Sequence, residues 1–433
     1  LGTESQVRII LVRHGETVHN KRKAFAGKID SPLTELGRKQ AEKLGNFFRE
    51  TRFSRIYASP LRRALDTALE IERRNLKGAR VEIVPALIEK YSGRLEGKEH
   101  RQVSGEIWKK MRKHPADIFE RIEGGESMED VRKRVAPIAK ALLSEKSGTY
   151  GIVAHGGTVR ALFSELTGFP LNYSVPFKFD NCSITDIVVD RKLSRIFAAA
   201  VNSTSHLMET SPEKRKKRRF ETRLLLIRHG KTRFNSQLLM QGKSNIPLSE
   251  EGFGQARALG KFLSGERIDR IYSSPLKRAF DTAQAISISQ SGRRIQVTSS
   301  PLLIERDFGR FEGKPLKEWI SWREKSGRSD YIDKSHKGES QKDVEKRVEK
   351  FLKAEILGKN RGKTVAIVSH GNTLRVFISK ILRVHPEKTR PFFTGNAKFT
   401  EIIISEERGG APRVYYFNEG AHLSGQSEKR LDA

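Results

Sequence analysis

A chain of 433 residues is too long for one ordinary hydrophobic core and suits two domains of about 200 residues each. Its 36% hydrophobic and 31% charged residues exclude a disordered chain, and no apolar run reaches the roughly 18 residues of a membrane span. The net charge of +31, from 83 Lys and Arg against 52 Asp and Glu, favours polyanions as partners without saying which.

The first element is "VRIILV", a buried strand that breaks into Arg13, His14 and Gly15. Thr34 then opens a helix with Ala41, Leu44 and Phe48 on one face. "RIYAS" reads as a second strand, with Ser59 and Pro60 as N-cap and first-turn residue of the next helix and Arg63 one turn on. Ser127 and Asp130 resemble a capping box. "YGIVAH" is a further strand ending in His155, Gly156 and Gly157. Alternating strands and helices predict an α/β fold, a three-layer α/β/α domain with a mostly parallel sheet.

The same text then returns. "LLLIRHGKT" repeats "IILVRHGET", so His229 falls on His14, and Asn235 on Asn20. "YSSPLKRAFDTA" repeats "YASPLRRALDTA", pairing Arg278 with Arg63, and "VSHGNTLR" repeats "VAHGGTVR", pairing His370 with His155. Ser340 with Asp343 repeats the capping box, and "NSTSHL" and "NEGAHL" close the two copies. The fold is therefore duplicated. The expected boundaries are a first domain over 1–208, a basic linker over 209–221 and a second domain over 222–433. The linker holds six Lys and Arg and no apolar periodicity, so it reads as solvated chain rather than an import signal or nucleic-acid patch. Lys109, Lys110, Arg112 and Lys113 likewise read as a solvated helix face. The single cysteine, Cys182, excludes an intrachain disulfide; Ala397 stands at its place in the second copy, so it reads as a small core residue. No basic-then-apolar leader precedes the first strand, and the expected location is cytoplasmic.

Ligands of parallel α/β sheets sit beyond the carboxyl ends of strands. In each copy those ends carry Arg, His and Gly together, beside helix N-termini that point N–H groups outward. Such a basin suits a tetrahedral dianion, above all phosphoryl, since guanidinium forks match its oxygens. A histidine among arginines is driven to the neutral form, and neutral imidazole is a nucleophile. Chemistry alone does not choose between His14 and His155 for the attack. A leaving alkoxide also needs an acid. The carboxylates present in both copies are Glu89 with Glu305, Glu96 with Glu312, and Glu126 with Glu339.

"RHGET", "SPLRRA", "HGG" and "EGGES", in that order and twice, resemble the histidine phosphatase superfamily in its phosphoglycerate-mutase-like branch. The resemblance implies that His14 and His229 become phosphohistidine. It implies that Arg13, Asn20, Arg63 and His155 hold the phosphoryl group in the first copy, and Arg228, Asn235, Arg278 and His370 in the second. Glu89 and Glu305 would be the acid/base carboxylates. No metal and no cofactor are expected. Mutases of this family carry a longer insertion with an "RHYG…GLNK" segment; here stand "GRLEGK" and "GRFEGK", which favours hydrolysis. The expected function is hydrolysis of phosphate monoesters at two sites per chain. The substrate would be a phosphorylated small molecule, some of them multiply phosphorylated; nucleic acid is not the expected partner. The alternatives are mutase-type phosphoryl transfer and a non-catalytic polyanion or nucleic-acid binder.

The copies differ in places. Glu16 is replaced by Lys231, which should raise the positive charge of the second basin. "NKRKAFAGK" supplies Lys21, Arg22, Lys23 and Lys28 after the first histidine, where the second copy has the more apolar "NSQLLMQGK". The first site should then favour multiply phosphorylated substrates and the second a larger or more apolar group. His206 and His422 recur in uncharged contexts and read as structural.

Overall fold

The computed structural model describes residues 5–103, 121–207, 221–292, 294–405 and 410–423. The chain divides into two compact units, Leu1–Leu207 and Met208–Ala433. Most of the basic linker and the helix-face cations Lys109, Lys110, Arg112 and Lys113 lie outside the described residues; Glu221, the linker's last residue, is instead the first of a strand.

In the first unit the strands are β1 (Gln6–Arg13), β2 (Arg55–Ala58), β3 (Val81–Ile83), β4 (Gly148–Ala154), β5 (Ile184–Asp190) and β6 (Arg195–Ser203). Their order in the sheet is β3-β2-β4-β1-β5-β6. The first four run parallel; β5 is antiparallel to β1, and β6 to β5. The second unit repeats this with β7 (Glu221–Arg228), β8 (Arg270–Ser273), β9 (Val297–Ser299), β10 (Thr364–Ser369), β11 (Phe399–Ser405) and β12 (Ala411–Glu419), in the order β9-β8-β10-β7-β11-β12. The sheet is thus mixed but mostly parallel, as expected.

Side chains alternate across β1. Ile10 and Val12 pack with Ala41, Leu44 and Phe48 of helix Glu35–Phe47 and its cap, and with Ala64, Ala68 and Ile71 of helix Arg62–Arg74. Ile9 and Leu11 point to the opposite face, where helices Met128–Ser144 and Gly156–Thr167 lie against β1 and each other. Helices therefore cover both faces. The helices that follow β1 and β4 take opposite faces, so a crevice opens between the carboxyl ends of these two neighbouring strands. Arg13 is paired with Ala154 at those ends, and Arg228 with Ser369 in the second unit.

Local signals read from sequence held in most places. Thr34 caps its helix by accepting Gly37 N–H, and Ser127–Asp130 and Ser340–Asp343 form reciprocal capping boxes. Ser59 does not cap a helix. Helix Arg62–Arg74 starts after Leu61 with no side-chain cap, because the Ser59 hydroxyl is engaged by His155 and by Leu61 N–H. Among the described residues no helix is long and apolar enough to cross a membrane.

Candidate active site

His14 follows the last residue of β1, and its N–H bonds Ala154 O at the end of β4. His155 follows β4 and starts helix Gly156–Thr167. The two imidazoles therefore meet at the crevice, with ring centroids 5.1 Å apart; His229 and His370 repeat the same 5.1 Å.

The ring nitrogens are used differently. His14 Nδ1 donates to Gly15 O at 2.7 Å, which leaves Nε2 with its lone pair; it has no hydrogen bond among the described residues. His229 Nδ1 donates to Gly230 O, also at 2.7 Å. Both nitrogens of His155 are engaged. Arg63 Nε donates to its Nδ1 at 3.2 Å, so Nε2 carries the proton and donates to Ser59 Oγ at 2.7 Å. His370 Nε2 pairs likewise with Ser274 Oγ at 2.8 Å. His14 is held well below the usual histidine range, first by burial and then by the Arg13 and Arg63 charges. His229 is lowered in the same way by burial, Arg278 and Arg228. Burial thus outranks the like-charge effect inferred from sequence.

The guanidiniums are locked. Arg63 is buried on the first turn of its helix and donates from Nη1 to Ile29 O (2.6 Å) and from Nη2 to Gly27 O (2.8 Å). Arg278 bonds Ser244 O and Gly242 O at the same two distances. The accepting loop needs glycine: at Gly27 φ is +47°, and a Cβ there would lie 1.6 Å from Glu96 Oε1. Arg13 Nη1 donates to Phe179 O at 2.7 Å and Arg228 Nη1 to Thr394 O at 2.6 Å. Arg13 Nε and Arg278 Nε are buried with no partner among the described residues, which leaves donors for an anion.

Of the three carboxylate pairs, one faces this basin. Glu89 accepts Gly157 N–H at the helix N-terminus that His155 begins, at 3.1 and 3.2 Å. Its charge reaches Arg13 and Arg63. Glu305 accepts the N–H groups of Asn372 and Thr373, each at 3.1 Å, while the Thr373 hydroxyl donates to Ile304 O at 2.6 Å. Glu96 and Glu312 instead hold loop N–H groups, those of Lys28 and Ser92 in one copy and of Lys243 and Ser244 in the other. Glu126 and Glu339 are tied to Arg134 and Arg347.

Asn20 lies in the short helix Val18–Arg22 that follows His14. Its Oδ1 accepts Thr17 N–H and Asn181 Nδ2–H, both at 3.1 Å, so the amide nitrogen remains for the basin. Asn235 Oδ1 is satisfied the same way by Thr232 and Asn396. Ser59 was read from sequence as a helix cap only, and Asn181, Asn396, Ser274, and the threonines Thr67 and Thr282 that accept the N–H of Gly15 and Gly230, were not singled out. Each recurs in register with the histidines, and that recurrence was the available signal.

Two sequence expectations about charge change. Lys231 is paired: its Nζ bonds Glu251 at 3.2 Å, so the charge that replaces Glu16 is balanced by a carboxylate. Lys21, Arg22 and Lys23 are exposed, and Lys28 lies 4.5 Å over the Tyr91 ring. Among the described residues no cluster of His, Cys, Asp and Glu has metal-holding geometry. Cys182 is a buried free thiol, which burial pushes up from its usual range.

The chain is similar to known proteins. Phosphoserine phosphatase 1 of Hydrogenobacter thermophilus is 33% identical over 191 residues, 43% of this chain and 88% of that protein. The 2,3-bisphosphoglycerate-dependent phosphoglycerate mutase of Bartonella henselae is 31% identical over 217 residues, 48% of this chain and 98% of the mutase. A crystal structure of an Entamoeba histolytica phosphoserine phosphatase mutant with phosphoserine is 31% identical, covers 47% of this chain and 99% of its own, and superposes with a TM-score of 0.41. Each relative thus corresponds to about one half of the chain. The family model matches twice, over residues 9–201 and 224–416, and the chain belongs to the histidine phosphatase superfamily, branch 1, with two tandem copies of its domain.

Proposed function

We propose that the chain hydrolyses phosphate monoesters at two sites, through phosphohistidine at His14 and at His229. What supports this reading most is the nitrogen bookkeeping: His14 presents an unprotonated Nε2 among guanidiniums, whereas both His155 nitrogens are spoken for. Nε2 attacks phosphorus and the P–O bond to the alcohol breaks. Arg13, Arg63, His155 and Asn20 neutralise and hold the phosphoryl oxygens. The departing oxygen takes a proton from Glu89. Glu89, now a carboxylate, takes a proton from water; the hydroxide attacks phosphorus and the P–N bond breaks, releasing phosphate and restoring His14. Arg228, Arg278, His370, Asn235 and Glu305 do the same around His229.

A phosphate-release screen on sugar, glycerate, amino-acid and inositol phosphates tests the reading. Wild type should be active, His14→Ala and His229→Ala should each lose one component, and the double variant both. Turnover surviving in the double variant refutes it.

The two sites also prefer different substrates. The first has Lys28 and Tyr91 at its loop, the second an aromatic group around Trp319. Substrate profiles of the two single variants that coincide would reject this. The mutase relative keeps a second reading open, phosphoryl return to another hydroxyl of the same scaffold. Assay of 3-phosphoglycerate with and without a bisphosphate primer separates the two: primer-dependent isomerisation without phosphate release replaces the hydrolytic reading.

A further inference from the structure

The segment before the first antiparallel strand reaches three of the residues around the histidine. In residues 179–182, Phe179 O accepts Arg13 Nη1. Asn181 Nδ2 donates to His14 O (2.9 Å) and to Asn20 Oδ1 (3.1 Å). Cys182 N–H donates to Arg13 O at 2.8 Å. The second unit repeats the pattern. Thr394 O accepts Arg228, Asn396 Nδ2 donates to His229 O (3.0 Å) and Asn235 Oδ1 (3.3 Å), and Ala397 N–H donates to Arg228 O (3.1 Å).

This segment is strained and buttressed. Cys182 and Ala397 are left-handed, with φ of 52° and 53°, a conformation that costs a non-glycine residue energy and persists only when neighbours impose it. The neighbours come from the two closing motifs, "NSTSHL" and "NEGAHL". Asn202 Oδ1 accepts Asp180 N–H at 2.5 Å and Asn418 Oδ1 accepts Gly395 N–H at 2.6 Å. Both asparagines are themselves left-handed, with φ of 61° and 56°. His206 packs on Phe47 and His422 on Phe262, and His422 Nε2 donates to Ala397 O at 2.8 Å.

We propose that Asn181 and Asn396, buttressed by Asn202 and Asn418, are positioning residues of the two sites: they hold the nucleophile's carbonyl and turn the Asn20 and Asn235 amides so that N–H, not C=O, faces the phosphoryl group. The inference rests on the hydrolytic reading above. An amide has one donor and one acceptor end of nearly equal shape, so its orientation is set by its partners. Asn181 supplies one donor and Thr17 N–H another, and together they select the oxygen of Asn20. With an acceptor at 181 the Asn20 oxygen would meet repulsion on one side and keep only Thr17 N–H on the other, which loosens the orientation of the amide toward a dianion. The closing motifs, which the catalytic steps leave unused, acquire a role here as the supports of residues 180 and 395.

The test uses the full chain carrying His229→Ala, so that turnover of p-nitrophenyl phosphate reports the first site. Asn181→Asp keeps the shape and replaces the donor by an acceptor. At pH 8 its kcat/KM should fall about 30-fold, the size of a lost hydrogen bond to a charged group, with the thermal midpoint little changed. The deficit should shrink as pH falls and the new carboxyl regains a proton to donate. Placed on Asn20→Ala, the same substitution should cost no more than about 5-fold, because the amide it steers is gone. A cost that is equal with and without Asn20, or that is flat with pH, overturns the proposal. Asn396→Asp in the His14→Ala chain repeats the test at the second site; loss of folded protein in both variants would make these asparagines stability elements and also overturn it. If the parent chains release no phosphate, it is the hydrolytic reading that fails.

Discussion

The two candidate sites agree closely around their histidines, while the described residues that follow their carboxylates differ. Histidine spacing and the bonds made by Nη1 and Nη2 of Arg63 and Arg278 coincide within a few tenths of an ångström, whereas Arg63 Nε donates to His155 and Arg278 Nε has no partner among the described residues. In the second unit Met240, Phe308, Phe311 and Trp319 pack as one cluster, close in sequence to Glu305. Beside it Arg306 pairs with Asp330 at 2.8 Å while lying over Phe308 and Trp319. The first unit has Lys90, Tyr91, Ser92 and Leu95 at the positions of Arg306, Asp307, Phe308 and Phe311. The proposed difference in substrate preference rests on this divergence: the residues proposed to hold phosphorus recur, and the aromatic cluster is proposed as a wall of the second site alone.

The largest expected effect tests the shared part. In single-site chains, Glu89→Gln and Glu305→Gln should each lower kcat on alkyl phosphates by about 10²–10⁴-fold. On p-nitrophenyl phosphate, whose leaving group needs no proton, most of the first chemical step should return. Losses that differ more than tenfold between the two sites would break the equivalence of the carboxylates.

Trp319→Ala probes the part that differs. The ring is 5% exposed and touches Phe308, Phe311, Trp322 and His336 edge-on or tilted. Its removal should destabilise the second unit by about 3–5 kcal/mol, read from urea unfolding. It should also raise KM at the second site, while turnover by the first, measured in the His229→Ala chain, stays within about twofold. A change at the first site would show that the wall is not private to the second.

Acid should weaken both units alike. His14, His155, His229 and His370 are lowered well below their usual value, first by burial, and burial pushes His206 and His422 down to about 4. In the unfolded chain these rings take a proton near pH 6.5. The folded state keeps them neutral, so the unfolded state binds more protons below that pH and stability falls with it. Urea midpoints should be flat above about pH 7 and drop steadily from there to pH 5, before most carboxylates titrate. A midpoint that rises on acidification would contradict the burial of these rings.

The two candidate sites could be read from sequence because they recur: residues that meet at one crevice are spread over the chain, yet each appears twice in the same order. Strand ends were legible for the same reason, apolar runs stopping at Arg-His-Gly. The orienting groups were not. Ser59 looked like a helix cap because Ser-Pro carries that local signal, and only the fold brings His155 to its hydroxyl. Glu96 and Glu126 looked as eligible as Glu89, since composition does not say which carboxylate meets a helix N-terminus and which meets an arginine. Lys231 looked like an added charge until Glu251, on the facing helix, was placed beside it.

That last pair gives the smallest and most discriminating prediction. Glu16 and Lys231 occupy equivalent positions with opposite charge, yet both side chains turn to the neighbouring helix: Thr34 Oγ1 donates to Glu16 Oε1 at 2.8 Å, and Lys231 reaches Glu251. Their backbone N–H groups are held alike, by Gln40 and Gln255 at 2.9 Å. A partly exposed pair of this kind contributes little energy and its field is screened. Glu16→Lys in the His229→Ala chain, and Lys231→Glu in the His14→Ala chain, should therefore change kcat/KM by less than about threefold. Neither should shift the substrate profile of one site toward that of the other. A tenfold effect, or a profile that follows the swapped charge, would place the origin of selectivity two residues from the histidine rather than in the proposed wall.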